Sequence, residues 1–382
     1  MSMYKKVGKT AMNKEWEFIL NALGNYMQYD IGLSEYEFES MNMVKISDFI
    51  KRNRLEGYFY QIFSVTGCYS YIPRNMWREI LDVHECNVKH NRDMLYVLSD
   101  LSKALEAETT EYAFVKGAYL ISFEYESGIR ISNDIDILIP EHNLKTIDQV
   151  LTEMGFVQKI YKNGIFAEAT RVEKIFSMKN NNEIIPYYKA YELPCIKNAC
   201  VDLLVSTNEL DKSACVENSY IQTNMNAYRE SSFLRCLETT YNFAYLCLQI
   251  YNDSKSYLYV RNGADSLLYR YCDVNLMVKK YANPMFWNKL NAIGRTWGIE
   301  RPLYYVLSNT YDLFSRTYSQ EIKHQIKEFL NNLQIKSTDF LSQVKDSRKN
   351  KLYCYDMSFV DWVFKEDQSV KLVEIPMSQC KI

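Results

Sequence analysis

Asp134 and Asp136 stand one residue apart at the front of the run Asp-Ile-Asp-Ile-Leu-Ile, residues 134–139. On a strand, residues i and i+2 face the same side, so the two carboxylates would lie a few ångströms apart. At about 5 Å and an effective dielectric near 20, their repulsion costs about 3 kcal/mol. Three arrangements relieve it: one carboxyl keeps its proton, both open to water, or a divalent cation sits between them. Ile137, Leu138 and Ile139 make the strand apolar, which weighs against open water. A lone Asp-x-Asp is expected about once by chance in a chain of ordinary composition, so its surroundings must carry the argument.

Those surroundings hold a third acid. Asp202 lies inside Cys-Val-Asp-Leu-Leu-Val, residues 200–205, a run too apolar to tolerate an unpaired charge. If the two strands are neighbours, Asp202 joins Asp134 and Asp136. Three converging carboxylates then call for a cation, and with Mg²⁺ they suit phosphoryl chemistry. Upstream, Val-Lys-Gly-Ala-Tyr-Leu (115–120) reads as strand, glycine, helix. Gly117 there lets backbone N–H groups approach a phosphate, and a helix start favours anions. Lys116 and Arg130 add positive charge. The bland alternative makes Gly117 a turn residue, leaves Lys116 solvated and pairs Arg130 with Glu126.

The elements that would position these groups fall into blocks. Residues 1–108 read as helical, with an Asn13 cap, a Gly24 stop, a second helix behind Ser47 and a long pattern after Pro73. Residues 109–215 mix strands and helices. The expected strands are 112–115, 134–139, a hairpin around Lys162-Asn163-Gly164, a strand at 171–178 before an Asn180–Asn182 turn, and 200–205. A helix over 143–155 ends at Gly155. That combination predicts an α+β fold, one mixed sheet covered by helices. From about Ser231 the helical period returns, with Leu234, Leu237, Tyr241, Tyr245 and Leu248 as a stripe within a helical domain at 216–335. Asn283-Pro284 is a cap followed by a first-turn proline. Residues 336–382 read as a polar tail with a basic knot at Lys345, Arg348, Lys349 and Lys351.

Bulk composition excludes some classes. The chain has 382 residues, 47% hydrophobic and 24% charged, which describes a globular protein rather than a disordered one. A formal charge of -2 argues against a generally basic nucleic-acid binder. The 32 tyrosines, interleaved with leucines at helical spacing, read first as packing and only second as a base-stacking surface. No leader-like apolar core opens the sequence, and its most apolar window is too short for a bilayer, so a cytoplasmic protein with reduced cysteines is expected. His84 and His90 sit six apart, which aligns them poorly on a helix and reads as a solvated face rather than a metal pair.

The run from Phe114 to Ile139 resembles the uncharacterised bacterial nucleotidyltransferase family of the DNA polymerase β-like superfamily. The resemblance rests on Lys116, Gly117, Leu120, Arg130, Asp134, Ile135, Asp136, Leu138 and Gly155-Phe156. The spelling Arg130-x-Ser132-x-Asp134-Ile135-Asp136 is also similar to abortive-infection nucleotidyltransferase toxins. Two positions depart from the pattern: Ala118 replaces the serine of the usual Gly-Ser phosphate loop, and no histidine follows Asp202. The resemblance implies transfer of a nucleoside monophosphate, with AMP favoured, from an NTP co-substrate to a hydroxyl acceptor, releasing pyrophosphate. It implies Mg²⁺ or Mn²⁺ on Asp134, Asp136 and Asp202. Lys116, Gly117, Arg130, Ser132 and Asp273, the last within Tyr271-Cys272-Asp273, would contact nucleotide. The alternative for Asp273 is a surface pair with Arg270. A small-molecule or peptide acceptor is favoured over RNA, with no membrane partner. Rival expectations are a non-catalytic nucleotide-binding protein on the same fold and a tRNA-modifying toxin.

Overall fold

The computed structural model describes residues 13–26, 38–109, 111–162, 164–181, 184–205, 221–225, 233–365 and 372–381. The expected turn residues Asn163 and Asn182, and the expected helix start at Ser231, lie outside them. The chain divides into two compact units, residues 1–81 together with 246–382, and residues 82–245. Both chain ends therefore share one unit, where the sequence treats them as separate regions.

The first unit opens with α1 (Lys14–Gly24), α2 (Met43–Arg52), α3 (Glu56–Thr66) and the start of α4 (Arg74–Glu108). Asn13 caps α1 as expected, its side chain accepting from the Glu15 N–H. The cap of α2 is Asn42 rather than Ser47, because the helix starts a turn earlier. The long pattern after Pro73 is one continuous helix of 35 residues.

In the second unit, α4 is followed by β1 (Ala113–Phe114), α5 (Gly117–Tyr119, which continues as a π-helical turn to Glu124), β2 (Ile135–Leu138) and α6 (Leu144–Glu153). Next come the hairpin β3 (Val157–Lys162) and β4 (Ile165–Glu168), then α7 (Arg171–Phe176), β5 (Tyr187–Ala190), β6 (Asn198–Leu204), β7 (Ile221–Met225) and β8 (Phe233–Leu237). The eight strands form one mixed sheet in the order β4-β3-β5-β6-β2-β1-β8-β7. Helices flank the sheet, as expected for the α+β fold.

Three local expectations fail. Residues 171–178 are a helix rather than a strand, because Thr170 and Glu173 form a reciprocal capping box that nucleates α7. The stripe from Leu234 does not begin a helix, since Leu234 and Leu237 belong to β8 and helix α8 (Thr239–Lys255) starts after it. Strand β5 was unforeseen; Pro186 and a short polar run hide it.

The first unit resumes within α8 and continues through α9 (Tyr257–Arg261), α10 (Leu268–Tyr281), α11 (Pro284–Trp297), α12 (Glu300–Phe314) and α13 (Gln320–Asn332). Asn283 caps α11 with Pro284 in its first turn, as the sequence predicts, and Gly298 closes the helix in the left-handed conformation. The expected polar tail is instead structured. Strands β9 (Gln343–Asp346), β10 (Lys351–Cys354) and β11 (Val373–Ile375) form a three-stranded sheet, and α14 (Phe359–Val363) lies between β10 and β11 in sequence. At the basic knot the Arg348 and Lys349 backbone N–H groups donate to the Asp346 carboxylate, and the Lys351 side chain pairs with Glu374 at 2.7 Å. Among the described residues no helix is long and apolar enough to cross a membrane, and no disulfide occurs.

Candidate carboxylate site

Strands β2 and β6 are parallel neighbours, and their register sets Asp136 directly against Asp202. Paired residues on adjacent strands share a face, so both carboxylates emerge on one side of the sheet. Strand β6 alternates strictly: Ala199, Val201 and Leu203 are buried, while Asn198, Cys200 and Asp202 keep exposure. Ile135 and Ile137 of β2 join the buried side. Apolar packing on one face thus forces the acids onto the other. Asp134 precedes β2 and is exposed, Asp202 is part-exposed, and Asp136 is 4% exposed.

The Asp136 carboxyl is raised from 3.8 to about 6: burial is the largest cause, Lys116 pulls the other way, and the charges of Asp134 and Asp202 add to the rise. Asp136 therefore senses both other acids. Their counter-charge is Lys116, whose Nζ lies 2.8 Å from Asp136 Oδ1. Burial alone would lower this ammonium, but Asp136 outweighs it, with help from Tyr245 and Asp134, and holds the group above its ordinary value. Lys116 reaches this position from a backbone at φ 52° and ψ -124°, outside the regions L-residues prefer. The solvated alternative for Lys116 is excluded.

Gly117 has a reason the sequence did not show. A Cβ there would stand 2.0 Å from Ser132 Oγ and 2.7 Å from Ser132 Cβ. Ser132 is buried, its hydroxyl donates to the Asp134 carbonyl at 2.9 Å within the turn before β2, and its packing on Gly117 sets that turn against the start of α5. Ala118, where the family pattern has serine, is buried at 1% exposure. Arg130 donates to the Ile131 carbonyl, while its own carbonyl accepts from Asn91 Nδ2 of α4 at 2.9 Å.

Asp273 belongs to the other unit. It lies on α10 with no exposed surface, and Tyr58 Oη donates to it at 3.3 Å. The surface pair with Arg270 does not form, because Arg270 bonds to Asp253 at 2.5 Å. His84 is part-exposed on a face of α4 whose residues 81–90 are all part-exposed or exposed, and its ring packs on Gly128, where a Cβ would meet it at 2.4 Å.

Two residues at the site were missed from sequence. Cys200, two residues before Asp202, donates weakly to Asp202 Oδ1 at 3.9 Å, and burial with Asp202 pushes its thiol up to about 12. Tyr188 of β5 pairs in register with Cys200 and senses Asp202 and Asp134. The period-two reading of β6 would have flagged Cys200. Tyr188 needed the unforeseen strand.

Among the described residues, no three His, Cys, Asp or Glu side chains already stand in metal-holding geometry. The chemistry nevertheless fits a hard divalent cation. The donors are carboxylate oxygens, the neighbouring thiol stays protonated, and the buried acid already holds a cationic stand-in, the Lys116 ammonium.

Residues 39–315 match the family described as "Uncharacterised nucleotidyltransferase". Among solved structures, an antigenic nucleotidyltransferase-like protein from Paracoccidioides brasiliensis aligns with 63% of this chain and 92% of its own, at 14% identity and a TM-score of 0.35. No curated protein matches the chain.

Proposed function

Because the chain belongs to the uncharacterised nucleotidyltransferase family, we propose that it moves a nucleoside monophosphate, AMP by preference, from an NTP to a hydroxyl acceptor. The observation that carries this reading is the register of Asp136 against Asp202, with Asp134 on the same side and Lys116 between the acids and the glycine turn. Asp134, Asp136 and Asp202 would hold Mg²⁺ or Mn²⁺. When bound, the ion screens the triphosphate charge and makes the acceptor hydroxyl easier to deprotonate.

The chain's own groups divide the remaining work. Lys116 brings positive charge to the polyphosphate. Gly117 makes room for the Ser132 side chain, whose hydroxyl fixes the Asp134 turn beside Lys116. Asp202, the more exposed of the two register-paired acids, takes the acceptor proton. The acceptor oxygen forms its bond to the α-phosphorus as the bond to the bridging oxygen breaks, and pyrophosphate leaves with that electron pair.

The buried Ala118 favours one rival, nucleotide binding without transfer, since it supplies no hydroxyl to the phosphate. The two are separated by incubating pure protein with Mg²⁺, labelled NTPs and candidate hydroxyl acceptors. Transfer with pyrophosphate release, reduced by about 100-fold or more in Asp134→Ala and Asp136→Ala, supports the enzyme. Transfer unchanged in those variants sinks the mechanism, and tight NTP binding with no pyrophosphate release supports the rival.

A further inference from the structure

A cavity of about 230 Å³ opens within the first unit. Tyr257, Val260 and Arg261 line it from α9, Tyr353 from β10, and Trp362 and Lys365 from α14 and the residues just after it. Positions three and four apart share a helix face, so the five-residue α9 can supply three lining residues. The frame is fixed. Ser256 bridges to Lys345 of β9, and the Tyr257 ring stacks on the Tyr353 ring at 4.9 Å. Trp362 stacks on Tyr355 at 4.4 Å, and its Nε1 donates to Asp265 at 2.6 Å. Rings already held in place lose little freedom when a guest arrives.

The charge of the lining is one-sided. Arg261 and Lys365 are both cationic, and among the described residues no acid lines the cavity. Among those residues, neither cation forms an ion pair or donates a hydrogen bond. Arg261 is exposed. Lys365 Nζ lies over the Trp362 ring at 3.1 Å, and burial pulls this ammonium down to about 8 against the charge of Asp265. The acids nearby are already engaged. Asp265 bonds to Trp362 and is itself raised by burial, and Glu374 pairs with Lys351. A partly sealed ammonium without a carboxylate is costly, and an anion in the cavity relieves that cost.

We infer that this cavity binds a small aromatic anion, one ring carrying a single carboxylate or phosphate group. The acid group sits on Arg261 and Lys365, and the ring lies among Tyr257, Tyr353 and Val260. Volume sets the size of the guest. An apolar cavity of about 150 Å³ accepts benzene, so 230 Å³ takes one ring and one acidic group. It falls short of the roughly 300–1,000 Å³ that drug-sized ligands fill, so a nucleoside triphosphate is too large. Composition sets the chemistry. The guanidinium fork matches two oxygens of a carboxylate or phosphate, and the rings supply apolar surface for the remainder. Asp134, Asp136 and Asp202 all belong to the second unit, so this is a second site, and it stands whether or not the chain transfers nucleotides.

The test is fluorine NMR titration of the full chain with three probes: 4-fluorobenzoate, 4-fluorophenyl phosphate and the uncharged 4-fluorobenzyl alcohol. At least one of the two anions should bind saturably, and the tighter of them identifies the acid group. The alcohol should bind at least about tenfold more weakly. Arg261→Ala and Lys365→Met should each weaken the anion by about tenfold or more. Arg261 is exposed, so Arg261→Ala should melt as the parent does and still read the site if Lys365→Met disturbs the Trp362 packing. Asp136→Asn should bind the anion like the parent. Failure of both anions to saturate overturns the proposal, as does equal binding to Arg261→Ala. Alcohol that binds as tightly as the anions removes the role of charge. Inorganic phosphate that competes as well as the ring-bearing anions removes the role of the ring, and either result overturns the proposal. Binding lost in Asp136→Asn but kept in Arg261→Ala places the probe at the carboxylates and overturns it too.

Discussion

Lys116 shows how one residue carries conflicting demands. A non-glycine residue at φ 52° and ψ -124° costs about 1–3 kcal/mol of backbone strain. That conformation accompanies an ammonium placed on Asp136, the one acid of the trio that is nearly sealed from water. Since Asp136 titrates near 6 with Lys116 pulling it down, Lys116→Met should move the carboxyl further up. Carbon-detected NMR of the Asp136 carboxyl checks this, and a midpoint unchanged or lower in the variant contradicts it. The sign for stability follows. The folded carboxyl holds its proton more tightly than the unfolded one, so the contribution of Asp136 to stability is complete below about pH 4 and is lost as pH rises through about 6. If the proposed Mg²⁺ site is right, Mg²⁺-dependent NTP binding would run the opposite way and strengthen through the same window. Gly117 offers a second test. Gly117→Ala should cost about 1–3 kcal/mol or more by overpacking against Ser132, and the Gly117→Ala/Ser132→Gly chain should recover much of the lost melting temperature. A double variant as unstable as Gly117→Ala rules out this contact as the cause. The sequence showed that a glycine mattered here. It did not show why, because the contact joins residues 15 positions apart.

At the scale of elements, what was legible had a dominant apolar signal. Strands β2 and β6 were readable because inward residues repeat with period two and the acids break that repeat at one position each. The same signal misled where caps and burial compete with it. Residues 171–178 alternate well enough for a strand, yet the Thr170–Glu173 capping box supplies the missing donors of a helix start, and α7 forms with no buried residue at all. Leu234 and Leu237 fit a helical stripe, but Leu234 and Cys236 sit buried on one side of a strand. For α7 the consequence is direct. Packing contributes little there, so the cap decides. Thr170→Ala should cost about 1 kcal/mol locally and deprotect the amides of 171–176 in hydrogen exchange, with the rest of the sheet unaffected. Unchanged protection in α7 means that something other than the cap holds it.

For the molecule as a whole, composition predicted the tyrosine-rich packing: Tyr58, Tyr251, Tyr271 and Tyr305 are all essentially buried, whereas Tyr69, Tyr71, Tyr96, Tyr161 and Tyr259 stay exposed. It did not predict that the two ends of the chain build one unit. The segment after Lys336 is polar on average, but its few apolar residues go inward. Phe340 is fully buried, and Trp362 Nε1 donates to the buried Asp265 at 2.6 Å. The buried Lys255 ammonium donates to the carbonyls of Phe340 and Leu341 at 2.8 Å each. Phe364 stacks on Trp16 at 4.7 Å and on Phe49 at 4.8 Å, which joins the last helix to α1 and α2. Averaged hydropathy cannot report such a segment, because its contribution comes from a few side chains inserted far away in sequence. Phe364→Ala should therefore cost about 3–5 kcal/mol. The loss should appear in hydrogen exchange at residues 14–24 and 43–52, more than three hundred positions upstream. If protection falls only near residue 364, the chain ends fold independently and the tail is an appendage after all.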